Sequence, residues 1–247
     1  MTVEAGHTRA SKAVARLSER PARYDTDWGQ DFHSAIRSRL RDGMSILDVG
    51  SGRSPTLDAT DRPSATHYVG LDPSQAELDA ADAGVYDEKH VADIASRRDS
   101  LVGRFDLIVS WQVIEHVKDV EAAFQNMREY LQPGGAMVLM FSGRWSPFAL
   151  AGRVLPFYIG KPIVSRIMKR SASRGPVFPA YYDKCYDTEM RRLLTGWTAA
   201  TITPYYRGAA YLNFSALAFR AYLAYENTIA ARRVANLATH YMVVAER

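Results

Sequence analysis

Two places in the 247-residue chain bring together residue types that do chemistry. The first is Ile46-Leu47-Asp48-Val49-Gly50-Ser51-Gly52, where an apolar run enters a glycine pair. Only residues without a β-carbon let the backbone come that close to a ligand. A dinucleotide-binding turn would want a third glycine at position 55, but the chain has Pro55, and the Asp48 carboxylate would be a poor neighbour for a pyrophosphate. That carboxylate suits a ligand with a cationic amino-acid end, reached directly or through water. The second place is Ile114-Glu115-His116-Val117. His116 can take up a proton near neutral pH with little tuning, and Glu115 can orient it or bind a cation.

Short apolar runs at 45–49, 67–71, 105–111 and 136–141 read as buried strands that would carry these residues at their carboxyl ends. Between them lie helical stretches. Trp28, Phe32, Ile36 and Leu40 recur every four residues and predict a helix over 24–40, ending near Asp42-Gly43. Val120, Ala123, Phe124, Met127 and Leu131 share a stripe over 119–131, which stops at Gln132-Pro133-Gly134-Gly135. Further on, 187–194 reads as a helix, 198–205 as a strand, 214–236 as a long helix broken at Asn227, and 239–245 as a last strand. Alternating strands and helices predict a parallel sheet covered on both faces.

Further motifs follow in order along the chain: Tyr68-Val69-Gly70-Leu71-Asp72-Pro73-Ser74, Val91-Ala92-Asp93-Ile94, Phe105-Asp106-Leu107-Ile108-Val109-Ser110-Trp111-Gln112, and the Pro-Gly-Gly turn. Together with the glycine loop, in which Ser54 replaces the usual third glycine, residues 24–142 resemble the class I S-adenosylmethionine-dependent methyltransferases. The resemblance implies a doubly wound, Rossmann-like α/β fold with seven strands, the last antiparallel. It implies S-adenosylmethionine as donor and S-adenosylhomocysteine as product, held by Asp48, Gly50, Ser51, Gly52, Asp72, Pro73, Asp93, Ile94, Ser110, Trp111 and Gln112. Asp72 would take both ribose hydroxyls, for which one carboxylate is well suited. Asp93 would accept from the adenine amine, and Ile94 would pack on the ring. His116 and Glu115 are the candidate catalytic pair, since the family places substrate-facing residues after the fourth strand.

The segment Trp111 through Val117 resembles the polyprenyl-dihydroxybenzoate O-methyltransferases of ubiquinone biosynthesis, in which an acid and a following Glu-His pair are associated with a divalent ion. Gln112 stands where that first acid would be. One charged oxygen ligand is lost, which weakens a magnesium site and leaves a divalent metal as the less favoured reading.

Residues 143–186 are longer than a simple connection and mix aromatics with cations. From Tyr130 to Tyr182 there is no acid, while Arg144, Arg153, Lys161, Arg166, Lys169, Arg170 and Arg174 are basic; without those seven, 24 of the 31 basic residues face 27 acids. The family often places an acceptor-covering lid here. Trp145, Tyr181, Tyr182 and Tyr206 are the candidate acceptor contacts, and the composition suits a hydrophobic or anionic acceptor presented at a membrane surface. The same residues would equally serve as a solvated cap with an aromatic core.

The expectation is a single domain: a lead-in over 1–23, a donor-binding core over 24–142, the lid over 143–186, and the remaining sheet and helices over 187–247. A lone Cys185, with no secretory or membrane-spanning pattern, fits a cytoplasmic protein, peripheral at most to the membrane's inner face. The expected reaction is O-methylation of a small-molecule, glycan or lipid-linked acceptor. C-methylation of a quinone-like ring and non-catalytic donor binding are the alternatives. No nucleic-acid partner is expected, because no amine-positioning motif follows strand four and the basic segment is as apolar as it is cationic. Oligomeric state is not legible.

Overall fold

The structure is a computed structural model that describes residues 20–147, 149–150 and 178–247. The expected lead-in lies almost wholly outside the described residues, as do the centre of the expected lid and all its basic residues except Arg144 and Lys184.

The strands are β1 Ser45–Val49, β2 His67–Asp72, β3 Glu88–Val91, β4 Phe105–Trp111, β5 Leu131–Ser142, β6 Ala199–Tyr205 and β7 His240–Glu246. They form one sheet in the order β3-β2-β1-β4-β5-β7-β6. β7 runs antiparallel to both β5 and β6, and the other pairs are parallel. This is the expected class. The chain order reverses between β1 and β4, so a crevice opens beyond the carboxyl ends of those strands, where open α/β sheets bind ligands.

Side chains alternate across each strand. Leu47, Val49, Val69, Leu71, Ile108, Met137, Leu139 and Phe141 face one layer, closed by α3 Val120–Tyr130 through Ala123, Phe124 and Met127 and by α4 Asp187–Leu193 through Met190. Ile46, Tyr68, Leu107, Val109, Val138 and Met140 face the other. That layer is closed by Phe32 and Ile36 of α1 Trp28–Arg37 and by Leu78 of α2 Gln75–Asp79. Burying each such side chain contributes about 1.5–3 kcal/mol. A third cluster joins Tyr24 and Ala209 to Phe219 and Leu223 of α5 Ala216–Ala231.

Three element boundaries differ from expectation for identifiable reasons. α1 begins at Trp28 because the Asp27 carboxylate accepts from the Gly29 and Gln30 N–H groups, a cap worth about 1 kcal/mol. Asn227 does not break α5, since its side-chain oxygen accepts from Arg23 at 2.7 Å while the helix continues to Ala231. β5 begins at Leu131, so the Pro-Gly-Gly stretch opens the strand instead of preceding it. Among the described residues no helix is long and apolar enough to cross a membrane.

Candidate functional site

The glycine loop follows β1 directly. Gly50 and Gly52 both have left-handed backbones, with φ of 72° and 49°, which glycine adopts at little cost. The Gly50 N–H donates to Leu71 O at 2.7 Å, tying the loop to β2. A β-carbon on Gly52 would lie 3.5 Å from Asp72 Oδ2, so the loop passes directly over the acid that ends β2. Asp72 is buried, and its Oδ1 accepts the Ser74 N–H at 2.8 Å. Burial raises its carboxyl above the ordinary range, the Ser74 N–H works against that, and the nearby Glu77 carboxylate adds to it. Glu77 is held by Arg53 of the loop through two bonds of 2.6 and 2.7 Å.

Val49, Gly50, Leu71, Pro73, Asp93, Ile94, Val113, His116 and Val117 line a cavity of 70 Å³ at this crevice. Five expected positions, Gly50, Pro73, Asp93, Ile94 and His116, thus converge there. Val113 was missed by sequence reasoning. It stands so close over Gly50 that a β-carbon on the glycine would lie 2.5 Å from Val113 Cγ1. Ser51 is buried within the loop, and its carbonyl accepts the Ser54 N–H.

Asp48 does not face this crevice. It shares the sheet face of Ile46, where its carboxylate accepts from Thr56 N at 2.7 Å, Thr56 Oγ1 at 2.6 Å and Tyr68 OH at 2.6 Å. Its bonds hold the loop's far end, not a ligand. Complete burial pushes it up to about 6 even against those three donors and the nearby Arg62. Ser110 is likewise internal: its hydroxyl donates to Val49 O at 3.0 Å and joins β4 to β1.

Beyond β4 the chain turns sharply. Gln112 has a left-handed backbone, φ 56°, uncommon for a residue with a side chain and characteristic of functional turns. Trp111 packs against Trp28, Phe32 and His33. Trp28 in turn meets His240 at the head of β7, with ring centres 4.3 Å apart. His240 Nε2 lies 3.0 Å from Tyr211 OH, and burial, helped by Arg207, pushes its imidazole down to about 3. Trp28, Tyr211 and His240 gave no motif in the sequence. They meet only because β7 is reversed, which sets His240 opposite Ser142 of β5.

The Glu-His pair divides. His116 Nδ1 is 2.9 Å from Pro179 O, and the residue lines the cavity beside Asp93 and Ile94. Glu115 is buried, with Oε1 accepting Ser142 N at 3.2 Å. Its carboxyl is raised, chiefly by burial, against the opposing influence of His116 and Ser142. The Glu115 carbonyl accepts the N–H groups of both Tyr181 and Tyr182.

Of the expected acceptor contacts, Tyr182 is buried in the core cluster that includes Val117 and Cys185, so for this residue the packing reading left open by the sequence holds and the acceptor-contact reading is corrected. Tyr181 is exposed under Lys118, and Trp145 is exposed beside Arg144. Tyr206 packs on the core with its hydroxyl buried and unpartnered. Among the described residues no three metal-ligating side chains cluster.

The model of a family described as a methyltransferase domain matches residues 16–179. A ubiquinone biosynthesis O-methyltransferase of Bradyrhizobium diazoefficiens is 29% identical over 187 residues, 70% of this chain and 68% of its own length. One from Bradyrhizobium sp. strain ORS 278 is 35% identical over 115 residues, 44% of each chain. A third, from Rhodopseudomonas palustris strain TIE-1, is spanned over 53% of its length. Beyond the first of these, then, the chain spans about half of its relatives' length or less. Phosphoethanolamine N-methyltransferase 2 of Haemonchus contortus shares the fold, with a TM-score of 0.54 and 16% identity over 89% of this chain and 52% of that one. So does geranyl diphosphate C-methyltransferase of Streptomyces coelicolor, at 0.53 and 16% over 88% and 79%.

Proposed function

The chain belongs to the methyltransferase-domain family, and on that premise we propose that it transfers a methyl group from S-adenosylmethionine to a hydroxyl oxygen of an aromatic small-molecule or lipid-linked acceptor. The observation that carries the donor is the convergence of a β-carbon-free loop, the buried Asp72 and the Asp93–Ile94 pair around one crevice. These residues fit the donor's parts. Asp72 offers an acceptor to paired ribose hydroxyls, Asp93 an acceptor and Ile94 an apolar face to the adenine, and the left-handed glycines leave room for the methionine end. Oxygen as the accepting atom is supported by the names of the aligned relatives. An aromatic acceptor is supported by the Trp28–Trp111 wall beside the end of β4.

When bound, S-adenosylmethionine supplies an electrophilic methyl carbon. The protein's part is to align a nucleophile behind that carbon and exclude water from it. The lid over 143–186, a single domain spanning 1–247 and peripheral membrane contact remain parts of this proposal. Calorimetry with S-adenosylmethionine and S-adenosylhomocysteine tests the donor site: both should bind the wild type, and Asp72→Ala should abolish both. Failure of a folded wild type to bind either would refute the reading. Transfer from labelled donor to 3,4-dihydroxybenzoate, with the product's methyl located by mass spectrometry on oxygen, tests the acceptor class; a C-methyl product would refute it.

A further inference from the structure

Resting on the O-methylation reading, we propose that Gln112 and Glu115 together form the receptor for the acceptor's hydroxyl group, and that Glu115, not His116, takes its proton. Both side chains meet on Ser142, the last residue of β5. Ser142 Oγ donates to Gln112 Oε1 at 2.8 Å, and Ser142 N donates to Glu115 Oε1 at 3.2 Å. The other polar atom of each, Gln112 Nε2 and Glu115 Oε2, is shielded from water and has no partner. Buried polar atoms in native proteins are almost always paired, so two orphans anchored on one residue call for a ligand.

Their chemistry says which. An amide nitrogen only donates and a carboxylate oxygen only accepts, so one hydroxyl satisfies both, its oxygen accepting from Gln112 while its proton points to Glu115. The left-handed turn at Gln112 positions the first group, and Ser142 fixes the second. Trp111, next in the chain, packs on Trp28 with ring centres 5.4 Å apart, an apolar wall suited to the ring that bears the hydroxyl. His116 lines the cavity with Asp93 and Ile94, which neither Gln112 nor Glu115 does, and one of its ring nitrogens is engaged by Pro179 O.

The step balances without a further reactant. The acceptor's O–H bond breaks and its proton passes to the Glu115 carboxylate. An oxygen lone pair forms the new O–CH3 bond as the S–CH3 bond breaks, its electron pair staying on sulfur, so a sulfonium becomes a neutral thioether.

The test compares catechol with 4-nitrocatechol, whose hydroxyl ionises without help. In Glu115→Gln, transfer to catechol should fall by about 10²–10⁴-fold, the usual contribution of a general base. Transfer to 4-nitrocatechol should stay near the wild-type rate at a pH above its ionisation, and the KM for the donor should be unchanged. A merely structural role would slow both acceptors alike and overturn the assignment. His116→Asn should slow both alike. A second measurement needs no turnover: 4-nitrocatechol titrated into the S-adenosylhomocysteine complex should show a shifted visible spectrum that is lost in Gln112→Met. An absent shift in the wild type, or one unchanged in that variant, would overturn the receptor. An intact spectrum with no methyl transfer to either catechol would leave the receptor standing and refute the O-methylation reading.

Discussion

Gly50→Ala is the substitution whose cost can be worked most closely. Two terms add. The backbone there is left-handed, at φ 72°, which charges a residue with a β-carbon about 1–2 kcal/mol. The new methyl would also sit 2.5 Å from Val113 Cγ1, far inside the roughly 3.5–4.0 Å of an ordinary carbon contact. Overpacking of that kind costs about 1–3 kcal/mol. The sum, about 2–5 kcal/mol, is a large part of a domain's usual stability of about 5–15 kcal/mol. The terms separate in a double-mutant cycle with Val113→Ala, because removing the two Val113 methyls relieves the overlap but not the backbone strain. Urea unfolding of the four proteins should therefore show the double variant about 1–3 kcal/mol more stable than the sum of the single effects, with about 1–2 kcal/mol of the Gly50→Ala cost remaining. Effects that add to within about 0.5 kcal/mol would refute the close approach of Val113 to the loop.

Two buried groups should give acid profiles of opposite sign. Asp48, raised from 3.8 to about 6, binds its proton more tightly folded than unfolded, so its contribution is greatest at low pH and is lost as pH rises through about 6. Measured by urea unfolding, the wild type should gain on Asp48→Asn by up to about 3 kcal/mol from pH 7 to 4, and parallel curves would contradict the burial. His240, lowered from 6.5 to about 3, contributes stability above 6.5 that drains as pH falls toward 3, so the wild type should lose about 2 kcal/mol against His240→Gln by pH 5. Arg53→Ala should weaken S-adenosylmethionine binding several-fold by calorimetry, more at pH 5.5 than at pH 8, because the released Glu77 carboxylate raises Asp72 further. Equal binding at both pH values would show that the two acids are uncoupled.

Much of this was legible in residue order. The glycine pair, the acids ending β2 and preceding Ile94, and the apolar strands lie where the pattern placed them, because buried parallel strands are near-continuous apolar runs. β3 was not visible: Glu88-Lys89-His90-Val91 is an edge strand paired only with β2 and has no apolar run to mark it. Asp48 was read toward the ligand because spacing sets distance along the chain, not the side of the sheet. Alternation puts it with Ile46, on the face of Tyr68, and not with Val49, which lines the crevice. The Gln112–Ser142–Glu115 meeting joins residues thirty apart through the pairing of β4 with β5, and no local pattern encodes it.

The reversed strand β7 also sets a schedule. β5 ends at Ser142 and the strand that completes its pairing begins at His240, so nearly a hundred residues must leave the ribosome before the middle of the sheet can close. Until then β5 is an open edge with Met137, Leu139 and Phe141 along it, and β6 has no hydrogen-bonded neighbour at all. A nascent chain halted anywhere in that interval holds the loop and acids of the donor crevice but lacks His240. Donor binding would then precede completion of the sheet, and early ligation would steady the half-built strands while the missing one is made.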